Sequence, residues 1–278
     1  MSTVRNAVAL AAAVVALSPS LARSEDAPIQ DNSFLVEEAY NQEPGVIQHI
    51  SSFSRSSRTG AWGYSFTEEW PVLGQTHQAS VTLNFVGLAP EATGVGDLAL
   101  NYRWQAVGSG ETAVALAPRL TFLLPSGDAT RGLGAGGAGL QINVPLSVTL
   151  GSHLVSHSNI GGTYVPSARA SATDSAPLTT FAIGQSLIWL AHSRLNVMLE
   201  ALYTTTELAV KTGVQRTESL TINPGLRGAI NFASGLQIVP GVSFPLGVGP
   251  SRGEKAVLFY LSFEHPFGLA GPTEPQKG

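Results

Sequence analysis

The sequence predicts an all-β fold, a 12-stranded antiparallel up-and-down transmembrane β-barrel. Three observations predict it. Twelve segments of about ten residues alternate apolar and polar side chains, the weak per-segment signature of a membrane barrel. Their polar faces carry Ser, Thr, Asn, Gln and Gly rather than Lys and Glu. The connections between them alternate between short and long.

Residues 97–105, DLALNYRWQ, show the pattern best. Leu98, Leu100, Tyr102 and Trp104 take every second place, with Asp97, Asn101, Arg103 and Gln105 between them. An extended chain sends successive side chains to opposite sides, so this strand has two chemically distinct faces. Residues 60–70 set Trp62, Tyr64 and Phe66 against Gly63, Ser65 and Thr67. Residues 78–85 set Val81, Leu83 and Phe85 against Ser80, Thr82 and Asn84. In 113–124, Val114, Leu116, Leu120 and Phe122 oppose Ala115, Ala117, Arg119 and Thr121, and in 140–150 Leu140, Ile142 and Val144 oppose Gln141 and Asn143. The same alternation runs through 195–204 (Leu195, Val197, Leu199 against Asn196, Glu200), 219–231 (Leu220, Ile222, Leu226 against Asn223, Arg227), 236–246 and 256–263. Segments 46–55, 153–164 and 179–190 mix both kinds of residue on both faces, and their registers stay open.

Composition bounds the function. The 278 residues include no cysteine, which excludes a disulfide scaffold and thiol chemistry. A formal charge of −4 does not suggest nucleic acid as a partner. Charged residues are 12% of the chain, against a usual share of about 25%. Residues 1–22 have the layout of a signal peptide. One Arg precedes the apolar run 7–17, and small residues follow, with cleavage after Ala22 or alternatively after Ser24. That run is shorter than the roughly 20 residues that cross a bilayer as a helix. The mature chain then divides into an N-terminal periplasmic segment at 23–45, a barrel at 46–267 and a tail at 268–278.

Alternation also occurs in soluble sandwiches and barrels, so the choice between core and lipid rests on the polar face. A soluble surface carries charged residues at roughly a quarter to a third of its positions. The whole chain has three lysines, Lys211, Lys255 and Lys277, none well inside a strand. Trp70, Trp104 and Trp189 end even-numbered strands, while Phe85, Phe122, Tyr164, Tyr203 and Phe244 come late in odd-numbered ones, as two interfacial girdles require. Long outer loops are expected at 87–96, 125–139, 165–177, 205–216 and 247–255, with the Gly-rich run 132–139 flexible. An even strand count puts both termini in the periplasm. An Arg at the midplane of the lipid face costs about 2–4 kcal/mol. Arg103, Arg119 and Arg227 are therefore expected inward with Asp97 and Glu200.

Residues 31–51, DNSFLVEEAYNQEPGVIQHIS, resemble the N-terminal hallmark of a family of bacterial outer-membrane β-barrel transporters grouped with the "MetA-pathway of phenol degradation" barrels. GVGDLALNYRWQ (94–105), APRLTFLLPSGD (117–128) and GLQINVPLSVTL (139–150) resemble the strands that follow in that family. The resemblance implies an outer-membrane location and a transport role. It supplies no catalytic residues.

The candidate site is the lumen. Asp97, Asn101, Arg103, Arg119, Asn143, Glu200, Asn223 and Arg227 are its expected lining. Such charges either orient passing solutes, as charged rings do in pores, or pair with one another and stiffen the barrel. Glu37 and Glu38 are plug candidates. The segment that carries them is expected to enter the periplasmic mouth and pair a glutamate with Arg103, Arg119 or Arg227, with a loose periplasmic leader as the other outcome. His49 and Ser51 share a strand face, but no acid partner is evident, and no enzyme activity is expected. The histidines are scattered, so no metal or other cofactor is expected. Outer-membrane lipid, a small-molecule solute and the barrel-assembly machinery are the expected partners. Two functions stay open: passive passage of small solutes, apolar or aromatic ones included, or a closed structural or adhesive barrel.

Overall fold

The computed structural model describes residues 29–88, 90–170, 173–211 and 213–267. The expected signal peptide and the C-terminal tail lie outside the described residues. Twelve antiparallel staves close into a barrel. They are β1 (Val46–Ser56), β2 (Trp62–Pro71), β3 (His77–Leu88), β4 (Ala92–Val95 and Leu98–Trp104), β5 (Val114–Leu116 and Arg119–Leu124) and β6 (Gly139–Thr149). After these come β7 (Leu154–Arg169), β8 (Ser175–His192), β9 (Leu195–Val210), β10 (Gly213–Gly228, continued by Ile230–Asn231), β11 (Gln237–Ser243 and Leu246–Val248) and β12 (Ala256–Pro266). Each pairs with its neighbours in sequence, and β12 pairs with β1 from Val46↔Pro266 to Ser56↔Ala256, leaving no open edge. Val46 and Pro266 therefore lie at one end, here the turn end; the other is the loop end.

The breaks within staves have local causes. Pro118 and Pro245 lack the N–H that a ladder needs and fall where β5 and β11 are interrupted. In compensation, Pro118 offers its carbonyl to the Trp104 N–H at 3.0 Å, and Pro145 does the same for Ala117 at 3.1 Å.

Burial is inside out for a soluble protein. Ile142 is 56% exposed while Arg227 is 2% exposed. In β4, Leu100, Tyr102 and Trp104 face outward, and Ala99, Asn101 and Arg103 face the lumen. Large apolar side chains cover the outside of every stave from β3 to β10, an arrangement that lipid, not water, stabilises.

The three open registers are fixed by hydrogen bonding. Gln48 of β1 is buried and faces inward, so His49 and Ser51 face outward. In β7, His157, Asn159 and Val165 face inward until a bulge between Val165 and Ala168 shifts the phase. In β8, Gly184, Ser186 and Ile188 face inward.

Two expected outer loops are strands instead. β7 and β8 run through most of 165–177, and β9 and β10 pair as far as Val210↔Gly213. These extensions carry Arg169, Glu207, Arg216 and Glu218, with Asp174 and Lys211 just beyond their ends. Polar residues look like loop in a sequence. Backbone pairing needs no apolar face once a strand stands clear of lipid. Part of 87–96 is likewise strand, Ala92–Val95 pairing back on β3. The Gly-rich outer loop is not free either. Asp97 accepts from the N–H of Gly127 at 3.0 Å and of Ala135 at 2.7 Å, and Leu133 is buried beneath it.

Candidate functional site

Residues 29–45 have no regular structure, and 29–42 lie inside the barrel. Ile29, Asp31, Val36, Glu38 and Ala39 are each buried to 3% exposure or less. An irregular chain away from water must place every backbone donor and acceptor. Here the inward side chains of the staves take that role.

The donors are met first. Glu200 Oε1 accepts from the N–H of Leu35 at 2.9 Å and of Val36 at 3.1 Å. Asn159 Oδ1 accepts from Glu37 N–H at 2.9 Å, and its Nδ2 returns a bond to the Glu37 carbonyl at 2.8 Å. Ser147 Oγ accepts from Ala39 N–H at 2.8 Å, Gln105 Oε1 from Asn41 at 2.9 Å, and Gln78 Oε1 from Gln42 at 2.7 Å. The segment thus crosses the lumen from β9 to β3, handed from stave to stave.

Two arginines hold the carbonyls. Arg227 Nη1 donates to the carbonyl oxygens of Asp31 (2.6 Å) and Asn32 (2.7 Å), and Nη2 to that of Ile29 (3.2 Å). Asn196, its amide oxygen turned to the guanidinium, accepts from Arg227 Nε at 3.2 Å. Arg103 donates to the carbonyls of Tyr40 (2.6 Å) and Glu38 (3.3 Å) and through Nε to Asn41 Oδ1 (2.9 Å). Glu69 Oε2 stands 3.7 Å from Arg103 and accepts from Gln78 Nε2 at 2.7 Å.

The two adjacent glutamates part company. Glu37 turns toward the loop end and pairs with Arg119, Oε1 to Nη2 2.8 Å. Glu38 turns toward the turn end, where its Oε2 is buried without a hydrogen-bond partner. Burial pushes the Glu38 carboxyl well up, with Asp31 adding to the rise and Arg103 and Arg227 opposing it.

The other expected lining residues support these contacts. Asn101 Oδ1 accepts from Thr121 at 2.7 Å and from Arg119 Nη1 at 3.4 Å. Asn143 donates to Asn159 at 3.1 Å, and Asn223 donates to Glu200 Oε2 at 2.7 Å. Asp97 differs. Its carboxylate is taken up by the outer loop, so it does not face the inner segment.

Asp31 is the residue that sequence reasoning missed. Its carboxylate accepts from Gln48 Nε2 at 2.9 Å, from the Tyr260 hydroxyl at 2.6 Å and from Ser262. The signal available was an acid beside an inward Gln, Tyr and Ser near the joining of β1 and β12. Phe34 was missed too. Its ring lies over Gly225 and Gly241, where an added Cβ would fall 2.4 and 2.5 Å from ring atoms, and meets Tyr260 edge-on at 5.9 Å.

The inner segment separates two cavities. One of about 190 Å³ opens on its loop side, floored by Leu35, Glu37 and Arg119 and walled by Gln141, Asn159 and Thr180. One of about 250 Å³ lies on its turn side, between Glu38, Tyr40 and the lower parts of β7 and β8.

On the outer face, His49 has the acid neighbour not evident in the sequence, Glu68 at 3.5 Å. Its other ring nitrogen lies 3.1 Å from His265, and the Ser51 hydroxyl lies 3.2 Å from the Tyr64 hydroxyl. His49 and Ser51 thus address different partners.

No family model matches the chain, and no curated protein matches it. Among solved structures it is similar to the COG4313 outer membrane channel from Pseudomonas putida F1, with 13% identity and a TM-score of 0.59 over 86% of this chain and 100% of that one. It is also similar to the NanC porin, with 10% identity and a TM-score of 0.53 over 80% of this chain and 100% of that one. At such identities the likeness is one of fold.

Proposed function

We propose that this barrel is a bacterial outer-membrane channel, with both termini in the periplasm, through which small solutes pass passively once residues 29–45 leave or shift within the lumen. The observation that carries this is the pair of cavities on opposite sides of that segment. A barrel serving only as a wall has no need of interior space at both ends with an irregular, polar-anchored chain between. Twelve staves leave a narrower interior than the 16–18 of open porins. Small solutes, apolar and aromatic ones among them, fit the space, and large sugars do not. The fold shared with a channel and a porin supports the same function. So does the likeness of 31–51 to the hallmark of a transporter family, because most of that stretch is the chain that threads the lumen.

Planar-bilayer conductance of the refolded full chain tests the proposal. The parent is expected to show small or infrequent openings, and the double variant Arg103→Ala/Arg227→Ala larger and longer ones. A folded double variant with no conductance and no solute flux in liposomes would favour a closed structural barrel instead.

A further inference from the structure

The turn-side cavity has chemistry of its own. Ile29, Val155, Ile188 and Leu190 give it an apolar wall, and Tyr40 closes one side, edge-on to His157 at 5.9 Å. The His157 Nδ1 is already bonded to Ser147 at 2.7 Å, and the Arg227 Nη atoms are spent on three backbone carbonyls. Glu38 is different. It lines the cavity at 2% exposure, and its Oε2 has no hydrogen-bond partner. A buried carboxyl oxygen left unpaired is costly, and such orphans call for an occupant.

We propose that this cavity is a binding site for a small uncharged alcohol, an apolar body the size of a six-membered ring carrying one hydroxyl that donates to Glu38. The apolar wall gives the body its place. A cation is disfavoured because Arg227 lines the same cavity. An anion is disfavoured by Glu38 and by Asp31 nearby. A hydroxyl serves Glu38 in either protonation state, since it donates to a carboxylate and both donates to and accepts from a carboxylic acid. The site stands whether or not the barrel conducts.

The test is equilibrium dialysis of labelled cyclohexanol against the detergent-folded full chain. Val155→Trp, which fills the cavity, serves as the blank that cancels uptake by detergent. The parent is expected to hold about one equivalent more than the blank. Glu38→Leu should weaken that binding about tenfold, the worth of one buried hydrogen bond, and Glu38→Gln should largely retain it. Methylcyclohexane should not distinguish the parent from Glu38→Leu. Equal cyclohexanol uptake by parent and blank would overturn the proposal. Should Glu38→Leu not fold, the parent alone decides, corrected for the blank, with methylcyclohexane, which neither donates to nor accepts from Glu38 in either protonation state. Binding about tenfold weaker than cyclohexanol supports the site, and equal binding overturns it.

Discussion

Arg227 on β10 holds the Asp31 carbonyl at 2.6 Å, across 196 residues of chain. The same guanidinium reaches Asn32 and Ile29. A single inward arginine therefore holds the first four described residues of the irregular segment within the barrel. The arginine is buried against backbone dipoles rather than against a carboxylate. That satisfies its donors on the backbone, while its charge acts on the nearby Glu38 carboxyl.

Removing that clamp should free the segment and leave the barrel folded, because β10 keeps its backbone ladder. Hydrogen bonds to charged groups contribute about 1.5–3 kcal/mol each. Losing two or three of them in Arg227→Leu is expected to raise the open population of 29–45 by on the order of 100-fold. Limited proteolysis of folded protein reads this directly, since cleavage tracks the open population when opening is fast. Cleavage within 29–45 at the parent's rate would show that Arg227 is not the clamp.

Phe34 and the glycines beneath it form a second anchor that can be broken from either side. Gly241→Ala puts a methyl where the ring now lies, and overpacking of this kind costs about 1–3 kcal/mol. Phe34→Ala removes the ring and should relieve the clash. In a double-mutant cycle the two changes are expected to be strongly non-additive, with Gly241→Ala nearly neutral in the Phe34→Ala background. Additive losses in urea unfolding would place the strain elsewhere.

The sequence was most legible where lipid enforces a rule. In β4 the cost of turning Arg103 outward leaves one register open, and the structure has it. It was least legible where lipid is absent. The charged upper parts of β7–β10 obey only backbone pairing, which leaves no mark on side-chain pattern. The contacts of the inner segment were hidden for a different reason. Gln48, Gln78, Gln105, Asn159 and Ser147 are ordinary lumen residue types, and what selects them is where residues 29–45 cross. Asp31 and Ser262 meet across 231 residues, a distance that no local pattern encodes. Glu37 and Glu38 read as one acidic pair, yet adjacent side chains of an extended segment point to opposite ends of the lumen.

The outside and inside of the barrel should respond oppositely to one charge. Leu100→Arg places a guanidinium on the outward face of β4 and is expected to lower stability in lipid vesicles by about 2–4 kcal/mol. Thr204→Arg projects into the loop-side cavity, where there is space and water, and should cost under about 1 kcal/mol. Urea unfolding of the two variants in vesicles makes the comparison. Equal losses would mean that the face assigned to lipid is wrong.

Docking of the inner segment should weaken as pH rises, and Glu38 is the reason. Its carboxyl is held above its ordinary value of 4.5 by burial first and by Asp31 next, while Arg103 and Arg227 pull it down without prevailing. In the undocked segment the carboxyl returns to that ordinary value. Below it, both states carry the proton and docking is at full strength. As pH climbs through the higher docked value, the undocked state sheds its proton more readily, so the docked state loses ground. Hydrogen exchange at Leu35, Val36, Glu37, Ala39, Asn41 and Gln42, whose N–H groups all donate to fixed acceptors, reports the equilibrium once rates are normalised to those of the free peptide at each pH. Protection should fall as pH rises above about 4.5 in the parent and fall less steeply in Glu38→Gln, which cannot ionise. A parent whose protection rises over the same interval would reverse the sign and remove Glu38 as the cause.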